Sequence, residues 1–346
     1  MTPHDWTPTR QAGLARLDAF LPRAGRAYAR ERNADRGPND RTNVSTLSPW
    51  IRRRLITEEE AIAAVLARHG YANAEKFIQE VCWRTYWKGW LELRPSMLVR
   101  FNDERIALKA RLERDQALRS AVERAKAGET GIACFDAWAR ELVETGYLHN
   151  HARMWFASIW IFTLRLPWQI GSDFFYKHLL DADPASNTLS WRWVAGLQTR
   201  GKHYVARASN IREYTNGRFD PRGELDEAAQ ALPDDGAPPR IAPLAPADAL
   251  PHVDVALLLT EEDLYPESLG IDANVRAVAA MPTPPVADPQ RPAALFSAGA
   301  LDDGLTRAAA HFTTRNDGVL VDADAVLAWA RDSGASTIVT PYPPTG

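Results

Sequence analysis

The stretch from Asp181 to Trp193, DADPASNTLSWRW, restricts this chain more than any other. Two acids sit one residue apart, a Pro-Ala-Ser-Asn turn follows, and two tryptophans then flank an arginine. Large aromatics are costly to leave in water, so a plain surface loop does not account for Trp191 and Trp193. Buried polar groups need partners, so a plain apolar core does not account for Asp181, Asp183 and Asn187. A pocket around a flat ligand with a polar edge satisfies both demands. The plainer alternative is a capped loop between helices, with the tryptophans serving as core.

Composition narrows the setting. A chain of 346 residues suggests two domains, and 45% hydrophobic with 25% charged residues is a globular balance. No apolar run reaches the length of a membrane span. The polar start, MTPHDWTPTRQAG, has no signal-peptide core, so a cytoplasmic protein is expected. Cys82 and Cys134 are far apart and give neither a metal spacing nor a disulfide framework. The net charge of −3 hides a split: residues 1–220 hold 34 Lys+Arg against 25 Asp+Glu, and residues 221–346 hold 7 against 19. A basic first half suits a polyanionic partner.

The first half reads as helices. Leu14, Leu17, Phe20 and Leu21 share a helical face. An arginine-rich run from Arg23 to Arg41 follows, fit either for a solvated face or for tracking phosphates. Ser45-Thr46-Leu47-Ser48-Pro49 reads by itself as a helix N-cap. Thr57-Glu58-Glu59-Glu60 is a capping box for a helix ended by Gly70, and Asn73 is placed to cap the next one. On that helix Phe77, Glu80, Trp83, Arg84 and Trp87 share one face, a mixture that reads as the wall of a polar-aromatic cavity. The bland version pairs Arg84 with Glu80 at i,i+4.

Residues 100–127 are charged, helical and solvated; Ala133 to Leu142 is amphipathic and ends near Gly146; Trp155 to Leu166 is a buried helix. His149 and His151 at i,i+2 make a poor metal pair on a helix, and no metal is expected. Beyond Trp193, Tyr204, Arg207, Asn210, Arg212 and Arg218 interleave basic and tyrosyl residues, as a nucleic-acid-backbone contact or a basic loop would.

A Pro/Ala-rich linker spans residues 226–252. After it the pattern switches. VDVALLL, VRAVAAM, DGVLV and STIVTPY read as short buried strands, with helices at Leu301 to Phe312 and Asp322 to Ser333. That is a small α/β unit with a parallel sheet and no dinucleotide glycine fingerprint. The expected fold is therefore mainly α: a helical domain at 1–225, then a small α/β domain at 253–346.

Four blocks occur in order: STLSP at Ser45 to Pro49, FIQEVCWRTYWKGWLE at Phe77 to Glu92, TGYLHNHARMWFAS at Thr145 to Ser158, and Leu166 through Trp193. Together they resemble the FAD-binding core of the photolyase/cryptochrome family, nearest to bacterial enzymes of cyclobutane pyrimidine dimer repair. The iron–sulfur branch needs four cysteines and is excluded. The tail unit weakly resembles the family's antenna domain, but it follows the flavin domain and its end suggests truncation.

The resemblance implies FAD held by Ser45, Thr46, Leu47, Ser48, Arg84, Arg153, Asp181, Asp183 and Asn187. It implies a cavity for the damaged bases lined by Glu80, Trp83, Asn150, Met154 and Trp193. It implies electron supply through Trp191 and Trp168, with Ala125 at the third position of that chain and Trp138, Trp155 or Trp160 as substitutes. The partner is damaged DNA, and the reaction is light-driven electron transfer from reduced FAD to a flipped-out pyrimidine dimer. Asn187, at the position facing flavin N5, favours repair over signalling. The alternatives are a cryptochrome-like blue-light photoreceptor and a non-catalytic helical DNA-binding protein. Oligomeric state is not legible.

Overall fold

The computed structural model describes residues 6–236, 239–282 and 290–346. Twelve helices in chain order build the first part: α1 Arg10–Phe20, α2 Arg26–Glu31, α3 Ser48–Arg52, α4 Glu58–His69, α5 Tyr71–Glu92, α6 Ser96–Arg114, α7 Gln116–Ala127, α8 Ala133–Thr145, α9 Asn150–Ser158, α10 Trp168–His178, α11 Pro184–Ala195 and α12 Ala208–Tyr214. The capping box forms as expected: Thr57 accepts from the Glu60 N–H at 3.1 Å, and Glu60 accepts from the Thr57 N–H at 2.9 Å. Gly70, not Asn73, then caps α5. Asn73 lies inside that helix, donating to the His69 carbonyl and accepting from Arg26.

The apolar run after Trp155 is not one regular helix. α9 ends at Ser158 and continues as a π-turn over Ile159–Thr163. All four of Ile159 to Phe162 are buried there. Two glycines make close approaches possible. Gly146 ends α8 at φ 66°, and a Cβ there would strike the Leu180 side chain at 2.7 Å. Gly171 lies against the ring of Trp191, where a Cβ would overlap the indole.

The second part is α/β, as expected. Strands β1 Val255–Leu259, β2 Val275–Ala280, β3 Arg315–Val319 and β4 Thr337–Val339 form a parallel sheet in the order β3-β2-β1-β4. β3 begins two residues before the apolar DGVLV run. Helix α13 covers Pro292–Phe312, starting well before Leu301, and α14 covers Ala323–Asp332.

Strand alternation divides the sheet between two cores. Val255, Leu257 and Leu259 face a cluster with Phe296, Leu301, Trp50, Leu55 and Phe20. Ala256 and Leu258 face Val326 and Trp329 of α14. The first cluster holds residues of α1, α3 and α13 together, so the sheet is fused to the helical part through one continuous core. Residues 226–252 run without regular structure between the two, and residues 237 and 238 lie outside the described residues. No described helix is long and apolar enough to cross a membrane.

Candidate functional site

The turn between α10 and α11 carries two acids. Ala182, between them, sits at φ 37°, a left-handed conformation that a residue with a Cβ adopts only when its surroundings hold it there. Asp183 is 2% exposed and has two tasks. Its Oδ1 accepts from the Ser186 N–H at 2.8 Å, capping α11, and its Oδ2 takes the guanidinium of Arg84 from α5. Burial alone would push this carboxyl up. Arg84, then Lys88 and Arg52, overcome that and hold it at about 2. Asp181 accepts from Arg153 of α9 at 3.3 Å. Against the cost of burial, Arg153 and then Arg84 keep it below the ordinary carboxylate range.

The hydroxyl-rich turn stands beside these acids. Thr46 has φ 54°, donates to the Ser45 carbonyl at 2.7 Å and accepts from Arg16 at 2.7 Å. The backbone N–H groups of Ser45, Thr46 and Leu47 donate to no backbone carbonyl among the described residues. The Ser48 hydroxyl, at the start of α3, adds to the forces holding Asp181 ionised. Three separated stretches therefore meet: residues 45–48, the Arg84 turn of α5, and residues 150–187.

The outer face of α5 is aromatic and open. Trp83 and Tyr86 are 49% and 50% exposed. Trp83 packs on Tyr86 at 5.4 Å and stacks on Trp87 at 5.8 Å. Arg84 does not pair with Glu80. It reaches across to Asp183, while Glu80 is taken by Arg32. Asn150 is exposed at the first turn of α9, and Met154 follows one turn later.

Asn187 donates to the Ser172 carbonyl at 2.8 Å and lies 3.1 Å from its hydroxyl, so its amide is fixed. The plainer view of the 181–193 stretch, a cap with core tryptophans, holds for two of its residues. Asp183 is a helix cap and Trp191 is core at 2% exposure, whereas Trp193 is half-buried against Tyr204.

The sequence model of the family described as the FAD binding domain of DNA photolyase matches residues 77–226. That helical stretch is similar to the FAD-binding domain of DNA photolyases. The chain is 33% identical over 216 residues to a deoxyribodipyrimidine photo-lyase of Thermus thermophilus, covering 62% of this chain and 49% of the relative. It is 34% identical over 195 residues to one from Agrobacterium fabrum, covering 55% and 39%. A class III photolyase structure from Agrobacterium tumefaciens superposes with a TM-score of 0.52 at 28% identity, covering 61% of this chain and 44% of that one. The chain thus spans about half the length of the first of these relatives.

The cofactor of this family domain is FAD, and the residues present fit it. Unmatched N–H donors at Ser45 to Leu47 and the Arg16 guanidinium beside Thr46 suit a diphosphate. Arg84 and Arg153, each fixed by a buried aspartate, supply positive charge that suits an anionic cofactor. Among the described residues no group of acids, histidines and cysteines could hold a metal ion.

Part of the arginine-rich run is paired within the chain: Arg23 and Arg36 with Glu31, Arg32 with Glu80, and buried Arg41 with Glu141 at 3.0 Å, while Arg26 and Arg30 stay exposed. Of the residues after Trp193, Tyr204 meets His151, Asn210 accepts from Trp155, and Arg218 pairs with Asp35, while Arg207 and Arg212 stay exposed. In the electron path, Trp168 stacks on Phe101 at 5.4 Å, and Trp160 is in edge contact with Trp191 at 6.3 Å. Ala125 is fully buried in α7.

Sequence reading missed the far side of the site. Glu262, just after β1, holds Arg52 through bonds of 2.5 and 2.6 Å and lies 3.7 Å from Lys88. The Arg52-Arg53-Arg54 run directly after the hydroxyl turn was the available signal.

Proposed function

We propose that this chain holds FAD between residues 45–48, Arg84 and the 153–187 core, and uses it to split pyrimidine dimers in DNA under blue light. One observation carries the reading: the open Trp83–Tyr86–Trp87 face lies on the same helix as the buried Arg84–Asp183 pair. Exposed indoles add nothing to a core, but they stack well on bases turned out of a duplex. Bound in its reduced form, the flavin would supply a one-electron transfer on illumination.

The chain's own groups do the rest. Asp181 and Asp183 stay ionised at neutral pH and keep the Arg153 and Arg84 cations in place. Asn187 is clamped by Ser172 and presents a fixed amide. Trp83 and Trp193 supply stacking surface, and Asn150 and Glu80 supply polar contacts to base edges. Glu80 already holds Arg32, so an entering base exchanges that contact. DNA approaches a helical half that carries the chain's excess of basic residues.

The test has two stages. The purified full chain should show a flavin absorption spectrum and, once fully reduced, should repair dimer-containing oligonucleotides under blue light. Glu80→Ala should lower repair while leaving the flavin bound. A colourless protein that takes up no FAD overturns the proposal. A flavin that is bound and photoreduced without any repair replaces it with the photoreceptor reading.

A further inference from the structure

We infer that Tyr204 and His151 form a redox-active pair, in which Tyr204 gives up an electron through Trp193 while its phenolic proton passes to His151. Trp193 stacks on the Tyr204 ring at 5.9 Å with 24° between the planes. The Tyr204 hydroxyl lies 3.2 Å from His151 Nε2. His151 Nδ1 lies 3.0 Å from the Asn33 carbonyl, which can only accept. The proton of the neutral ring therefore sits on Nδ1, Nε2 is the acceptor, and the phenol donates to it.

The surroundings keep the pair in this state. Burial holds His151 below its ordinary value, so the imidazole is neutral. Burial pushes the Tyr204 phenol up to about 12, so its proton is present. The imidazole is held flat on Trp155 at 4.1 Å, and the Trp155 Nε1 is anchored on Asn210 at 3.0 Å. The pair lines a cavity of about 560 Å³ with His203, Arg207 and Glu227. An isolated phenol is hard to oxidise because its radical cation is strongly acidic. A base already hydrogen-bonded to it removes that obstacle.

The step balances with a one-electron photo-oxidant. Such an oxidant takes an electron from the Trp193 indole. Tyr204 returns one electron to that indole and transfers its proton to His151. The products are an intact Trp193, a neutral tyrosyl radical and an imidazolium. The result is oxidising charge moved one ring back from Trp193 onto Tyr204.

An oxidant supplied from outside separates this inference from the repair reading. The full chain is flashed with a ruthenium polypyridyl sensitiser and an electron-accepting quencher, and radicals are followed by transient absorption and electron paramagnetic resonance. The intact protein should give a tyrosyl signal, formed more slowly in D2O. Tyr204→Phe should replace it with a persistent tryptophanyl signal. His151→Gln should slow tyrosyl formation roughly 10²-fold, the usual contribution of a positioned base. An undiminished tyrosyl signal in Tyr204→Phe, an unchanged rate in His151→Gln, or no slowing of the unsubstituted protein in D2O overturns the inference. The last measurement needs no substitution and so cannot be confused with misfolding.

Discussion

Two sets of aromatic residues in the helical half have opposite surroundings. Trp138, Trp155, Trp160 and Trp191 are buried and pack, face or edge, on one another and on Phe135, Phe156 and His151. Trp83, Tyr86 and Trp87 touch one another just as closely, yet two of the three stand half in water. Folding explains the first set, since each buried indole removes a large apolar area from solvent. It does not explain the second. A residue type that stabilises one region stands exposed in another, and under the proposed function a ligand, rather than the chain, completes its packing there.

The sharpest way to break this contrast is to truncate one member of the buried set. Trp155→Ala should cost about 3–5 kcal/mol in chemical denaturation, because the hole is closed in by Trp138 and His151. A cost near zero would mean that the buried set is not core. Asp183→Asn probes the border between the sets. It leaves the Arg84 guanidinium without its carboxylate partner and should cost on the order of 3 kcal/mol, with loss of bound flavin.

The buried acids sharpen the contrast further. Glu141 sits below the indole core beside Asp35, which accepts from the Trp138 Nε1 at 3.0 Å. Burial first, and Asp35 second, raise Glu141 to about 7 despite Arg41. Asp183, under the open face, is held at about 2. The signs of their contributions are opposite. Glu141 favours the fold fully below its unfolded value of 4.5, and that contribution is lost as pH rises toward 7. Asp183 favours the fold above its unfolded value of 3.8, and that contribution is lost as pH falls toward 2. Glu141→Gln should therefore flatten the decline in stability across the upper of these two intervals, a change of about 3 kcal/mol. Denaturation midpoints measured across that range check it, and a wild-type curve with no such decline rules it out.

What was legible in the sequence depended on range. The Thr57 capping box, the α8 stop at Gly146 and the buried apolar run at Val255 are local, and the chain folds as they read. The partners of charged residues are not local. Spacing offered Arg84 a neighbour at Glu80, but tertiary packing gave it Asp183 and gave Glu80 to Arg32. Arg153 with Asp181 was available only through the family resemblance. Nothing in the spacing joined Arg52 to Glu262, because a sheet fused to the helical core carries that glutamate there. The inward turn of Tyr204, Asn210 and Arg218 was hidden for the same reason: a basic, tyrosine-rich segment reads alike whether it faces solvent or its own chain.

The smallest stability effect tests the open face. Trp83→Ala removes an indole that is 49% exposed and, among the rings of the described residues, touches Tyr86 and Trp87. Its effect on unfolding should stay within about 0.5 kcal/mol, the range for surface substitutions. Its effect on ligand should be larger: stacking on a base is worth about 1–3 kcal/mol, so affinity for dimer-containing DNA should fall by about tenfold or more. Affinity for undamaged duplex, set by the basic residues, should hardly change. If Trp83→Ala instead destabilised the fold as much as Trp155→Ala, the α5 patch would be core after all. If it changed neither stability nor binding, the exposure of these rings would need a different ligand to explain it.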